Sequence, residues 1–199
     1  MIRVGIVGIS GYSGMSALEI LLKHPEARVS YISANNTEGP LETLWPQFNK
    51  ETKLICKKFN SDEAIENCDV VLLAVPHTVA MTIVPQLLKA KKRVIDFSGD
   101  YRLKTAEDYK KWYGVDHIDS RYWPEAVYGL AEFNREDIKK AALVANPGCY
   151  PTAALLALAP IATSQAGNIA SIVIDAKSGV SGAGRKATLN FSFVVFKRQ

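Results

Sequence analysis

The chain has 199 residues, of which 48% are hydrophobic and 22% charged, enough apolar material for a packed core and too much for a disordered segment. Its formal charge of +4 is dispersed, with no lysine- or arginine-rich block and no basic stripe interleaved with aromatics, which argues against a nucleic-acid partner. Three cysteines, Cys56, Cys68 and Cys149, fit neither a disulfide framework nor a zinc site, so no metal is expected. The first strand is too short for a signal peptide, and no apolar run reaches the length of a membrane span. The expectation is a soluble, cytoplasmic protein with no membrane partner.

In chain order, Ile2–Val7 reads as a buried strand and Met15–His24 as a helix with Leu18, Leu21 and Leu22 on one face. Arg28–Ser33 is a second strand. The stretch 35–49, with Gly39, Pro40 and Pro46, reads as a long loop. A short helix at Ser61–Asn67 precedes an apolar strand at Asp69–Val75. Helices at Thr78–Ala90 and Thr105–Tyr113 flank a strand at Arg93–Phe97. A short strand at Leu143–Ala145 leads to a helix at Pro151–Leu158, and Ser171–Ile174 reads as the first strand of a second unit. Strand–helix alternation with continuously apolar strands predicts an α/β fold, a Rossmann-type doubly wound parallel sheet covered on both faces. The domain boundary is placed at residue 148, giving units 1–148 and 149–199.

Between the first strand and the first helix lies Gly8-Ile-Ser-Gly11-Tyr-Ser-Gly14. Glycines at this point permit a tight turn and close approach of backbone to a pyrophosphate, and the helix start offers unpaired N–H groups. The alternative is a tight turn with no ligand. The second strand ends Ser33-Ala-Asn-Asn36 without the acid that NAD-preferring folds place there, which favours NADP; Arg28 and Lys53 are candidates to meet its 2′-phosphate.

Cys149 sits in Asn146-Pro-Gly-Cys-Tyr-Pro-Thr152 at the expected start of a helix. A helix N-terminus favours the thiolate, the nucleophilic form, while a buried structural cysteine beside a proline-rich turn is the competing reading. Cys56 and Cys68 read as structural. Ala74-Val-Pro76-His77 and Ser98-Gly-Asp100-Tyr-Arg102 follow strands, on the edge where such sheets bind ligands. His77 either touches the cofactor or caps the next helix. Asp100 and Arg102 either form a loop-fixing ion pair or meet ribose or substrate. Ser178-Gly-Val-Ser181-Gly182-Ala-Gly-Arg185-Lys186 is either an anion cradle or a flexible linker. His24 and His117 read as surface residues.

Taken together with Tyr128-Gly-Leu-Ala-Glu132, these motifs resemble, over residues 1–187, the N-acetyl-gamma-glutamyl-phosphate reductase family of the semialdehyde dehydrogenases. The resemblance implies NADPH-dependent reduction of an acyl phosphate to a semialdehyde in arginine biosynthesis, with Cys149 as the nucleophile that forms a thioester. It implies that the turn from Ser10 to Gly14 binds NADP. Together with the strand-end and loop readings, cofactor contacts are expected from Gly8, Ser10, Gly11, Tyr12, Ser13, Gly14, Ser33, Pro76, His77, Ser98 and Gly182, and contacts to the small acyl-phosphate substrate from Arg102, Asn146, Ser181 and Arg185, the last from the charge and glycine content of its loop. Residues 149–199 are then the start of an α+β catalytic and dimerisation domain, and a homo-oligomer is expected. Two departures stand out. Ala131 replaces the family's proline before Glu132, and the chain ends at Gln199, before the region that carries the family's histidine acid/base, so it is expected to be a fragment. Aspartate-semialdehyde dehydrogenase is the nearest rival, although its motif has Asn where Gly148 stands. A non-catalytic NADP-binding domain is the other.

Overall fold

The computed structural model describes residues 1–49, 52–163, 169 and 171–185. The chain divides into two compact units, Met1–Cys149 and Tyr150–Gln199. The first contains β1 (Ile2–Val7), α1 (Tyr12–Leu22), β2 (Ala27–Ser33), β3 (Gly39–Pro40), α2 (Leu41–Leu44), a 3-10 turn (Pro46–Phe48), β4 (Ile55–Cys56), α3 (Ser61–Asn67), β5 (Val70–Leu73), α4 (Ala80–Lys89), β6 (Arg93–Asp96), α5 (Ala106–Tyr113), β7 (Ala126–Tyr128), α6 (Ala131–Lys140) and β8 (Leu143–Ala145).

Six strands form one sheet in the order β2-β1-β5-β6-β8-β7, and every pairing in it is parallel. The expected doubly wound sheet is therefore present. Because strand side chains alternate faces, neighbours in β1 serve different cores. Val7 joins Val71, Leu73, Leu87, Val94 and Leu143 on one face, while Ile6 joins Ile9, Leu18, Ile32, Leu41, Trp45 and Phe48 on the other. The chain leaves β1 toward β2 on one side and later resumes at β5 on the other. The crevice at that switch, beyond the carboxyl ends of the strands, is where such sheets take ligands.

Local chemistry sets several helix ends. The Asn60 side chain accepts from the Glu63 N–H to start α3, and Thr105 accepts from the Asp108 N–H to start α5, which stops at Gly114 in the left-handed region.

The structure corrects the sequence reading in three places. The stretch 35–49 is not a bare loop. It folds into β3, α2 and a 3-10 turn, because Leu41, Leu44, Trp45 and Phe48 bury against the sheet. β7 and α6 were not anticipated; a three-residue strand is too short to show a period, and none of α6 is buried. The expected strand Ser171–Ile174 is not formed. It is exposed, and no described strand lies beside it to complete a ladder. In the second unit the described elements are the body of α7 (Cys149–Thr163) and a 3-10 turn at Val180–Ala183; the apolar sequence after Arg185 lies outside the described residues.

Candidate dinucleotide and thiol site

The glycine turn is stitched to both neighbouring strands. The Ser33 carbonyl accepts from the N–H groups of Gly8 (2.8 Å) and Ile9 (3.0 Å), and the Ala74 N–H donates to the Val7 carbonyl (2.8 Å). Its three glycines answer to different demands. Gly8 has φ +98°, and a Cβ there would stand 2.1 Å from the Ala74 carbonyl oxygen, so both backbone conformation and space exclude other residues. A Cβ on Gly14 would meet the Gly8 carbonyl oxygen at 2.4 Å, so α1 packs on the turn only without a side chain. Gly11 is different: its nearest neighbour would be 3.7 Å away. The protein has no steric need for glycine at that position, and the vacant space faces whatever approaches the helix start.

That helix start suits an anion. Gly11 supplies no side-chain cap, and the first turn of α1 carries no acid, so the dipole and the leading N–H groups are not answered by a carboxylate. Tyr12 and Ser13 are exposed there. At the end of β2, Ser33 is fully buried, and its Oγ lacks a hydrogen-bond partner. A buried hydroxyl without a partner is costly, and a ribose or its 2′-phosphate would satisfy it. The residues present thus fit a dinucleotide phosphate. Arg28 does not belong to this group. It pairs with Arg3 near the start of β1, while Ser33 pairs with Val7 at its end. At about 3.3 Å per residue the two lie roughly 16 Å apart along the strand.

Beyond β5 and β6 the loops are held by side chains. Asp100 is fully buried. Its Oδ1 accepts from the Thr78 N–H and the Tyr109 hydroxyl, both at 2.8 Å, and its Oδ2 from the Met81 N–H at 2.9 Å. Asp100 therefore covers the start of α4 and holds Thr78 at φ 74°, a strained setting for a β-branched residue. Two of the structural readings are not met. His77 is not the cap: its Nδ1 accepts the Gly99 N–H (2.8 Å) and its ring meets Tyr113 edge-on. The Asp100–Arg102 ion pair is not formed either.

Arg102 instead donates from Nε to the Asn146 carbonyl and from Nη2 to the Phe97 carbonyl, both at 2.7 Å. It ties the exit of β6 to the loop that leads from β8 to Cys149. Its other Nη makes no hydrogen bond to the described residues. Beneath it, Asp96 is buried, with both carboxyl oxygens taken by the Ser98 N–H and hydroxyl at 2.9 Å. Burial pushes the Asp96 carboxyl up to about 7, and the Ser98 hydrogen bonds offset only part of that.

Cys149 is the first residue of α7 and is exposed. Cys56 and Cys68 are buried, and desolvation raises both thiols, in line with a structural role. His117 is not a simple surface residue. Its Nδ1 accepts from the Asp119 N–H, its Nε2 is buried without a partner, and its ring packs among Tyr101, Tyr109 and Trp123; burial lowers its pKa. In the second unit, Ser181 and Gly182 lie in the 3-10 turn, closed by the Gly182 N–H on the Gly179 carbonyl (2.9 Å), with Arg185 just beyond it.

Sequence reasoning missed Trp45, whose indole donates to the Ile9 carbonyl inside the glycine turn at 2.7 Å. A signal was present: Leu41, Leu44, Trp45 and Phe48 have the i, i+3, i+4, i+7 spacing of an apolar helical face, masked by Pro40 and Pro46.

Residues 3–141 match the semialdehyde dehydrogenase NAD binding domain, and residues 149–199 match the semialdehyde dehydrogenase dimerisation domain. The N-acetyl-gamma-glutamyl-phosphate reductase of Acinetobacter baumannii (strain AYE) is 46% identical over 97% of this chain and 56% of its own length. That of Gloeobacter violaceus is 48% identical over 92% of this chain and 53% of its own. The chain spans about half the length of the curated relatives it matches. Among solved structures, aspartate semialdehyde dehydrogenase with NADP from Candida albicans superimposes with a TM-score of 0.63 at 16% identity, covering 82% of this chain and 47% of that one. A likeness at that identity is one of fold. No helix among the described residues is long and apolar enough to cross a membrane.

Proposed function

The chain belongs to the semialdehyde dehydrogenase family, and on that premise we propose that it supplies the NADP-binding and acyl-accepting parts of an N-acetyl-gamma-glutamyl-phosphate reductase of arginine biosynthesis. The observation that carries the reading is one of placement. A glycine turn shaped for a phosphate and the loop leading to an exposed Cys149 leave the same carboxyl edge of one parallel sheet.

The Cys149 thiolate attacks the acyl carbonyl of the substrate, the carbon–oxygen bond to phosphate breaks, and phosphate leaves a thioester. Bound NADPH would supply the hydride that takes this acyl group to the aldehyde oxidation level. Gly8 and the first turn of α1, through Gly11, Tyr12, Ser13 and Gly14, would bind the pyrophosphate, with Ser10 beside them. The Ser33 hydroxyl would bind the adenosine ribose or its 2′-phosphate, and the lack of an acid at the end of β2 favours NADP. Pro76, His77 and Ser98, on the β5 and β6 exits, would border the nicotinamide. Arg102 and Asn146 would serve the acyl phosphate, Arg102 through its open Nη. Gly182 is assigned to the cofactor and Ser181 and Arg185 to the anionic substrate, from the glycine content and basic charge of their loop. The dimerisation-domain match of residues 149–199 supports a homo-oligomer, and three free thiols suit the cytoplasm.

The test is a titration with NADPH, followed by exposure to N-acetyl-gamma-glutamyl phosphate without reductant. The expected result is release of one phosphate per chain and a matching mass gain on Cys149, both absent from Cys149→Ala. Acylation by aspartyl phosphate alone would reassign the chain to aspartate-semialdehyde dehydrogenase. NADPH binding with no acylation would leave a non-catalytic dinucleotide domain.

A further inference from the structure

Trp45 lies outside every motif that suggested a cofactor, yet it reaches into the glycine turn. It is buried, and its Nε1–H donates to the Ile9 carbonyl at 2.7 Å across 36 residues of sequence. The segment that carries it is anchored to the sheet. The Leu41 N–H donates to the Leu54 carbonyl, the Trp45 N–H to the Leu41 carbonyl, and the Ala34 N–H, at the end of β2, to the Lys57 carbonyl. Tyr12, the first residue of α1, packs its ring obliquely on Trp45, with centroids 6.1 Å apart.

Trp45 belongs to the apolar cluster beneath the turn, so its hydrogen bond draws the Ile9 oxygen toward the buried side. That keeps the oxygen, which would repel an anion, turned away from the turn's open face. We propose that Trp45 is a positioning residue for the dinucleotide: by holding the Ile9 carbonyl, it keeps that oxygen from facing the pyrophosphate. This rests on the reading of the glycine turn as the NADP site and adds to it a determinant outside the turn.

The experiment compares Trp45→Phe, which keeps an aromatic ring and loses the N–H, with the wild-type chain. Three probes are titrated: NADPH, ADP-ribose and adenosine 2′-monophosphate. The first two contain the pyrophosphate and the third does not. The expected result is a rise in Kd of about tenfold for NADPH and ADP-ribose, the size of one unfavourable approach of a carbonyl oxygen to a phosphate, with adenosine 2′-monophosphate unchanged. Replacement of Trp45 by benzothienylalanine, which matches the indole in shape and lacks its N–H, gives the same readout if the phenylalanine variant folds poorly. Unchanged affinity for all three probes, or an equal loss for all three, overturns the proposal, the latter by making Trp45 a general packing residue. A wild-type chain that binds none of the probes overturns the dinucleotide reading and this proposal together.

Discussion

The two sides of the carboxyl edge are built by different means. Around β1, β2 and β5 the site is made mainly of backbone: three glycines, a helix start without a cap, and carbonyl–amide bonds between adjacent strands, with the Ser33 hydroxyl and the Trp45 indole added to it. Around β6 and β8 it is made of polar side chains, Asp96 and Asp100 buried and Arg102 half-buried. Asp96, Asp100 and Arg102 each spend their hydrogen bonds on loop backbone or on Ser98 and Tyr109. A site made of backbone depends on where side chains are absent, and tolerates change badly where space is short. A site made of side chains depends on charges that are desolvated, and so it responds to pH.

The largest effects separate chemistry from folding. Cys149→Ala is expected to lower acyl transfer by on the order of 10^4-fold or more while leaving the NADPH Kd unaltered; a comparable loss of cofactor binding would mean that the thiol is part of the nucleotide site. Gly8→Ala should cost about 4 kcal/mol, from left-handed strain and overpacking against Ala74 together, read as a loss of Tm. Gly11→Ala meets nothing nearer than 3.7 Å, so its Tm should stay close to wild type while NADPH binding weakens. If the two glycine variants behaved alike, the assignment of steric need to Gly8 and of ligand space to Gly11 would fail.

On the polar side, Asp96→Asn tests the burial of charge. The folded carboxyl titrates near 7 and the unfolded one near 4, so the native state binds the extra proton between those values. Stability from this group is therefore fully present below about pH 4 and is lost as pH rises toward 7. Unfolding curves across that window should show this slope in wild type and lose it in Asp96→Asn. Taking the difference between variants cancels the opposing contribution of His117, whose lowered pKa costs stability on acidification. A parallel pair of curves would show that Asp96 is ionised at neutral pH.

The smallest expected change is Arg102→Lys. An ammonium cannot reach the Phe97 and Asn146 carbonyls with a planar fork, so about 2 kcal/mol of stability should go with one charged hydrogen bond, and Cys149 acylation should slow. If KM rises and the maximal rate holds, Arg102 acts through its open Nη on the substrate. If the rate falls at constant KM, it acts by fixing the loop that leads to the thiol.

The sequence by itself determined the α/β alternation, the glycine turn, the placement of Cys149 at a helix start and the polar loops at strand ends. Each of these is a local pattern, a period or a short motif whose meaning does not depend on distant residues. Only the tertiary structure decided which partners the polar groups take. Asp100 holds α4 and Thr78 rather than Arg102, Arg102 reaches Asn146 across 44 residues, and His117 lies among aromatics rather than at the surface. It also decided that Trp45 braces the glycine turn and that Arg28 lies at the far edge of the sheet. A hydrogen bond between residues far apart in sequence leaves no period or spacing to read. It is fixed by which strands become neighbours, and the strand order is set when both faces of the sheet are covered at once.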